Sequence, residues 1–219
     1  MDFFNEDCIK VMSEMPDNSV DLFLTDVPYG EINRPSNGIR KFDKGAADIV
    51  TFDVDKFITE ANRITSGTII VFCGISQLAK FSEYFRKEQE SKRGTMRQLV
   101  WTKTNPSPVN GDYIYLSAIE NAIWFRKRGG VFNAHCKKNV FSYPCGRSKV
   151  HPTEKNHDLI KELILDNSNE GQLVFDACAG SGTHLMVAKQ LGRNVAGCEL
   201  NPEWFEIAKE RIESVGKGE

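Results

Sequence analysis

Short apolar runs alternate with amphipathic stretches along this chain, and the alternation predicts helices laid against a sheet. Val20 to Thr25 is an almost unbroken apolar run, as a strand buried on both faces requires. Val54 to Ile64 carries Phe57, Ile58, Ala61 and Ile64 at helical spacing, and Thr68 to Cys73 (TIIVFC) is a second buried strand. Leu78 to Arg86, behind Ser76, predicts a helix; Gln98 to Thr102 and Ala122 to Phe125 predict two more strands. Between these two, Asn105-Pro106-Ser107-Pro108 and Asn110-Gly111 mark a loop. The remainder predicts helix Leu159 to Leu165, strand Leu173 to Phe175, helix His184 to Leu191, strand Asn194 to Cys198 and helix Glu203 to Ile212. Helix and strand in turn imply an α/β fold with a doubly wound parallel sheet. The least regular stretches are Glu31 to Lys44 and Arg126 to Val150.

Composition narrows this picture. A chain of 219 residues, 40% hydrophobic and 26% charged, suits one globular α/β domain. The N-terminus has no basic segment leading into an apolar core, and no run approaches a membrane span, so a cytoplasmic protein without membrane partners is expected. The six cysteines are scattered without a CxxC pair and are expected to be reduced, buried thiols. The net charge of -2 hides an asymmetry: Arg86 to Lys155 holds 14 Lys and Arg against 5 Asp and Glu, leaving 14 against 25 elsewhere. A basic middle is either a solvated loop region or a nucleic-acid footprint.

The strand Leu173 to Phe175 runs into Asp176, then Cys178-Ala179-Gly180-Ser181-Gly182-Thr183, then a helix. Small residues in that turn allow close approach to the backbone at a helix N-terminus. Glu199 ends the next strand, 17 residues after Gly182, where a carboxylate can bind the two hydroxyls of a ribose. The turn lacks the GxGxxG spacing of a pyrophosphate site, so S-adenosylmethionine is the expected cofactor, with Asp176, Cys178, Ala179, Gly180, Ser181, Gly182, Thr183, Glu199 and Leu200 around it. A packing turn has the same appearance when it stands alone.

The second constellation is Asp26-Val27-Pro28-Tyr29, at the end of the first buried strand. An exocyclic amine on adenine or cytosine is a poor nucleophile because its lone pair is delocalised into the ring. The Asp26 carboxylate can take one amine hydrogen and the Val27 carbonyl the other, localising that lone pair. Pro28 kinks the backbone and Tyr29 offers a stacking face. As a bare tetrapeptide this is also a strand-ending turn; its pairing with the glycine turn in one chain favours the chemical reading.

In carrying both constellations, the chain resembles the DNA amino-methyltransferases that make N6-methyladenine or N4-methylcytosine. Specifically it resembles the beta group, whose DPPY-type motif precedes the cofactor motif. Glu6-Asp7-Cys8 with Met15 to Asp21 resembles the family's opening segment, Trp101 to Pro106 its W-x-K-x-N-P strand, and His151-Pro152-Thr153-Glu154-Lys155 its HPTQK segment. The resemblance implies a single Rossmann-like S-adenosylmethionine-dependent methyltransferase domain over 1–219 with circularly permuted motif order. It comprises a catalytic half (1–125), a basic loop (126–150) and a cofactor half (151–219). By the same carry-over, Asp7 and Cys8 border the cofactor's adenine, Thr153 and Lys155 lie near its methionine carboxylate, and Asp26 also faces the cofactor. Asp at the first catalytic position resembles adenine-modifying members. DNA is the implied partner and a homodimer is common in the family; no metal is implied.

The sequence departs from the family at Val27 and Asn156, where prolines are usual, and at Cys178-Ala179. Only 126–150 remains for target recognition. Its cations Arg126, Lys127, Arg128, Lys137, Lys138, Arg147 and Lys149 are expected to contact DNA phosphates. Rival readings are a C5-type nucleophile at Cys145, a zinc cluster of His135, Cys136, Cys145 and His151, an RNA or protein amine methyltransferase, an N4-cytosine enzyme, and a non-catalytic DNA-binding descendant.

Overall fold

A computed structural model of the chain describes residues 2–29, 53–108, 111–146 and 154–216. The elements in order are β1 (Asp2–Phe4), α1 (Cys8–Glu14), β2 (Val20–Asp26), α2 (Val54–Ile64), β3 (Thr65–Cys73), α3 (Ile75–Glu90) and β4 (Gly94–Lys103). They continue with β5 (Ile119–Lys127), β6 (Val140–Tyr143), α4 (His157–Asn167), β7 (Leu173–Asp176), α5 (Thr183–Gln190), β8 (Asn194–Cys198) and α6 (Pro202–Ser214).

One eight-stranded sheet, ordered β1-β8-β7-β2-β3-β5-β4-β6, runs through both halves of the sequence. Side chains leave a strand alternately to its two faces, and β2 shows the consequence. Phe23 packs with Phe57, Phe81 and Phe175 on the face covered by α1, α2 and α3. Leu22 and Leu24 pack with Leu159, Leu163 and Leu185 on the face covered by α4, α5 and α6. A strand with both faces covered is apolar throughout, which is why β2, β3 and the core of β5 stand out in the sequence.

Two elements match their expected bounds, α2 and β8; the other predicted elements differ by one to several residues at their ends. Three elements lie beyond the sequence expectation. The strands β1 and β6 are three and four residues long at the two sheet edges, and in β6 only Phe141 is buried. The helix α1 is a two-turn element started by Asp7, whose Oδ1 accepts from the amides of Ile9 and Lys10.

Within the doubly wound sheet β5 breaks the parallel run, pairing antiparallel with both β3 and β4. No helix crosses the sheet between β4 and β5 among the described residues, and a strand returning without a crossover must run antiparallel. The cysteine expectation is corrected. Cys8, Cys73 and Cys198 are buried, but Cys136 is exposed on a residue with φ 49°, in a loop that the pattern of apolar runs does not reach.

Candidate active site

The parallel strands β2, β3, β7 and β8 share one polarity, so Asp26, Cys73, Asp176 and Cys198 all lie at one edge of the sheet. The antiparallel β5 reaches that edge with its N-terminal end, since Asn121 pairs with Cys73. This brings Glu120 beside Asp26, although the two stand far apart in the sequence.

Asp26 is surrounded by donors. Tyr29 Oη donates to its Oδ1 at 2.7 Å, and Lys155 Nζ donates to its Oδ2 at 2.5 Å. The Lys155 side chain is buried and also contacts Glu120 Oε2 at 2.8 Å, while Lys103 Nζ closes on Glu120 Oε1 at 2.7 Å. Two carboxylates and two ammonium groups thus form one compact set. Burial raises the Asp26 pKa above the ordinary aspartate value; Lys155 pulls it back, and Glu120 pushes it further up. Burial acts in the same direction on Glu120, but Lys155 and Lys103 outweigh it and hold that carboxyl at about 2. Lys155 loses solvent yet stays firmly charged because it faces both carboxylates. Burial also lifts the Tyr29 phenol, so it stays a donor.

The loop carrying these groups is tied at several points. The Val27 amide donates to Phe72 O, continuing the β2–β3 ladder past Asp26. Gln77, buried on α3, donates from Nε2 to Pro28 O at 2.7 Å and accepts from the Gly74 amide at 3.0 Å. The Val27 N–H that joins this ladder is one a proline at position 27 would lack, so the valine adds a backbone tie to the Asp26-Val27-Pro28-Tyr29 segment.

The glycine turn begins one strand away. Asp176 is fully buried; Oδ1 accepts from Thr25 Oγ1 at 2.7 Å and from the Cys178 amide at 3.1 Å, and His184 Nδ1 lies 2.8 Å from Oδ2. Thr25, the residue before Asp26, therefore links β2 to the glycine turn. Gly182 has φ 78°, and a Cβ there would lie 2.9 Å from Ala208 Cβ on α6, so only glycine lets the turn enter α5 at this spacing. Ala179 and Ser181 are buried with Thr183, and Gly180 donates its amide to Glu199 Oε2 at 2.7 Å. The other Glu199 oxygen accepts from the Asn201 amide at 2.8 Å. Burial raises the Glu199 pKa and those backbone donors oppose it.

The N-terminal segment joins the same corner. Glu199 donates its amide to Phe4 O, and Asn5 Nδ2 donates to the carbonyls of Glu199 and Leu200. Cys8 meets Cys178, and this hydrogen bond, with burial, holds the Cys178 thiol well above its usual pKa. Asp7, Cys8, Cys178, Glu199 and half-exposed Leu200 are consequently gathered at one place.

Glu154 ties the segment before α4 to the turn. Its Oε1 accepts from Thr183 Oγ1 at 2.7 Å and from Arg211 at 2.6 Å, and Arg211 also donates to Ser181 O at 2.8 Å. Asn156, in place of a proline, caps α4 by accepting from the Leu159 amide at 3.0 Å. Lys155 extends to Asp26. Thr153 and His151 lie outside the described residues.

The basic stretch does not form one face. Register places Arg126 opposite Thr68, at the end of the sheet away from Asp26 and at least ~13 Å from it along the strands. Lys127 Nζ donates to Asn62 O at 2.6 Å, and burial lowers its pKa. Arg128 follows β5 at the same remote end, where its amide donates to Arg93 O. Lys137 bridges Glu162 and Asp166 on α4, at 2.7 and 2.5 Å, next to exposed Lys138. Arg147 and Lys149 lie outside the described residues. Among the described residues, no group of three or more His, Cys, Asp and Glu is placed to hold a metal, and no helix is long and apolar enough to cross a membrane. Cys145 accompanies the core cluster under α4 and donates its amide to Asn105 Oδ1. Sequence reasoning assigned no site role to Glu120, Lys103, Gln77 or His184; the signals it could have used are the charged residue opening an apolar strand at Glu120 and the lysine of the W-x-K-x-N-P segment at Lys103.

An α/β sheet with a kinked carboxylate loop on one strand end and a glycine turn on the next defines an enzyme of the nucleoside-cofactor class. The chain belongs to the N6/N4 DNA methylase family, whose model matches residues 20–210 under the description DNA methylase. It is 27% identical over 245 residues to the type II methyltransferase M2.DpnII of Streptococcus pneumoniae, covering 96% of this chain and 88% of that one. Among solved structures, the M1.HpyAVI–SAM complex superposes with a TM-score of 0.71 at 24% identity, covering 96% of this chain and 98% of the other. The cytosine-N4-specific PvuII DNA methyltransferase superposes with a TM-score of 0.70 at 17% identity, covering 99% and 93%.

Proposed function

We propose that this protein transfers a methyl group from S-adenosylmethionine to the N6 amine of adenine in DNA. The observation that carries the reading is the joining of Asp26-Val27-Pro28-Tyr29 to the glycine turn through Thr25 and Asp176. The cofactor supplies an electrophilic methyl carbon when bound. Glu199 is the acceptor for its ribose, being the carboxylate at the end of β8; Asp7, Cys8, Cys178 and Leu200 frame its adenine; the Ala179 to Thr183 turn lies along its length. The similar M1.HpyAVI structure is a complex with SAM, which supports the choice of cofactor. Asp176 shapes the turn from beneath rather than touching the ligand, since it is fully buried, whereas Glu199 is only half-buried.

Asp26 and the Val27 carbonyl receive the two hydrogens of the target amine, Tyr29 stacks on the base, and the proton released by the product leaves through Asp26. Aspartate at position 26 favours adenine over cytosine, by its likeness to the adenine-modifying members of the family. Reaching a base in a duplex requires flipping it to this edge. Tyr113, Ile114, Tyr115 and Leu116, exposed on the loop between β4 and β5, border that edge and offer rings and apolar surface to the disturbed stack. A second copy of the chain is the further partner, checked by sedimentation. Incubation with labelled S-adenosylmethionine and unmethylated genomic DNA, followed by nucleoside mass spectrometry, tests the reading. N6-methyladenine is expected; N4-methylcytosine selects the alternative substrate, and no incorporation leaves a DNA-binding descendant.

A further inference from the structure

A donor already occupies the place where the target amine must donate. Lys155 Nζ is bonded to Asp26 Oδ2 at 2.5 Å and lies 3.2 Å from Tyr29 Oη, 5.4 Å from the Tyr29 ring centroid and 5.1 Å from that of Phe72. A flat base stacked on Tyr29 with its amine on Asp26 would put that amine against the same oxygen. An ammonium has three donors, and Lys155 points them at Asp26, Glu120 and Tyr29.

We propose that Lys155 is a placeholder for the target amine, and that Glu120 is the positioning residue that receives its ammonium when a base enters. This rests on the reading of Asp26 as the group that accepts from the amine. The exchange keeps the net charge of the set, two carboxylates and two ammonium groups, and no proton moves. Asp26 gives up an ammonium donor for a neutral amine donor, and Lys155 keeps its bond to Glu120. Without Glu120, an ammonium leaving Asp26 would be buried with no anion beside it, which is strongly unfavourable. The buried position of Lys155 fits a role at the base rather than one at the outer rim of the cofactor turn. Its neighbour Glu154, bonded to Thr183 and Arg211, fixes the backbone from which the side chain swings.

The test is the single-turnover methylation rate at saturating S-adenosylmethionine in mildly alkaline buffer, for wild type, Glu120→Gln and the double variant Glu120→Gln with Lys155→Met. The first variant leaves Lys155 with Asp26 as its sole charged partner and should slow transfer roughly tenfold or more, the scale of one charge-assisted hydrogen bond. The double variant removes the placeholder while keeping one carboxylate and one ammonium, and should recover to within roughly threefold of wild type rather than adding a second loss. A purely structural Glu120 gives losses that add. Wild-type rate in Glu120→Gln, or a double variant no faster than the single one, overturns the exchange while leaving the proposed function intact. A wild type that methylates no base overturns that function and the exchange together.

Discussion

Asp26 and Glu199 stand at strand ends of one sheet and are both half-buried carboxylates, but their charges are met differently. Asp26 is balanced by side chains, the Lys155 ammonium and the Tyr29 hydroxyl. Glu199 is balanced by backbone amides, those of Gly180 and Asn201. Backbone donors cannot leave without unfolding a turn, so the cofactor corner is held in one shape. Side-chain donors can change partners, which is what a site admitting and releasing a base requires. On the function proposed above, the Asp26 end is thus built for exchange and the Glu199 end for pre-organisation.

The largest effect that could break this contrast is loss of Asp26. Asp26→Ala should lower the methylation rate about a hundredfold or more, as removal of one positioned group does elsewhere, with cofactor affinity retained. Turnover near wild type would remove Asp26 from the chemistry. The opposite pattern is expected at Glu199. Glu199→Ala takes away the ribose acceptor and frees the amides that held it, weakening S-adenosylmethionine binding by about 1.5 to 3 kcal/mol. Calorimetry showing unchanged affinity would place the cofactor elsewhere.

Much of this contrast was legible in the sequence, because it depends on residues that end apolar strands. Asp26, Asp176 and Glu199 each follow a run that could only be a buried strand, and the turn between Asp176 and Thr183 carries its own small-residue signature. The pairing of Glu120 with Lys155 escaped for a different reason. It arises from β5 running antiparallel, which brings its first residues to the catalytic edge, and no periodicity within β5 reveals strand direction. The edge strands β1 and β6 escaped because three or four residues, with at most one side chain buried, do not form a pattern.

A cross-link between the two halves offers a sharper test. Thr25 is fully buried, donating to Asp176 and accepting from the Cys178 amide. Thr25→Val keeps the volume and removes both bonds, and should cost about 1 to 3 kcal/mol of stability in denaturant unfolding. If Thr25 transmits position from the turn to Asp26, the variant should also bind cofactor less tightly; a stability loss without any change in affinity or rate would make the link purely structural.

The pH profile reads the charge set around Asp26. Asp26 is raised by burial and by Glu120, and lowered by Lys155 and by the Tyr29 hydroxyl. Since the amine needs an ionised acceptor, activity should fall as pH drops through a value above that of an ordinary aspartate. Glu120→Gln removes a raising influence, so its acid limb should move to lower pH even though the rate is reduced. A limb shifted to higher pH would mean that Glu120 does not act on Asp26 through its charge.

The smallest expected effect concerns the cations. Removing one cation from a phosphate changes the salt dependence of DNA binding by a slope of about 1. Lys127 and Lys137 come from the most basic part of the chain, yet their charges are met by Asn62 O and by Glu162 and Asp166. Lys127→Met and Lys137→Met should therefore leave the salt slope unchanged within error, whereas neutralising Arg147 and Lys149 together should lower it. Those two belong to the segment 147–153, whose flanking residues Gly146 and Glu154 approach each other beside the site. With only 126–150 left in the sequence for target recognition, and each bidentate base contact contributing about 1 to 3 kcal/mol, a short or degenerate recognition site is expected. Mapping methylated adenines after reaction in vitro decides it: modification confined to a long fixed motif would show that base readout comes from residues other than these.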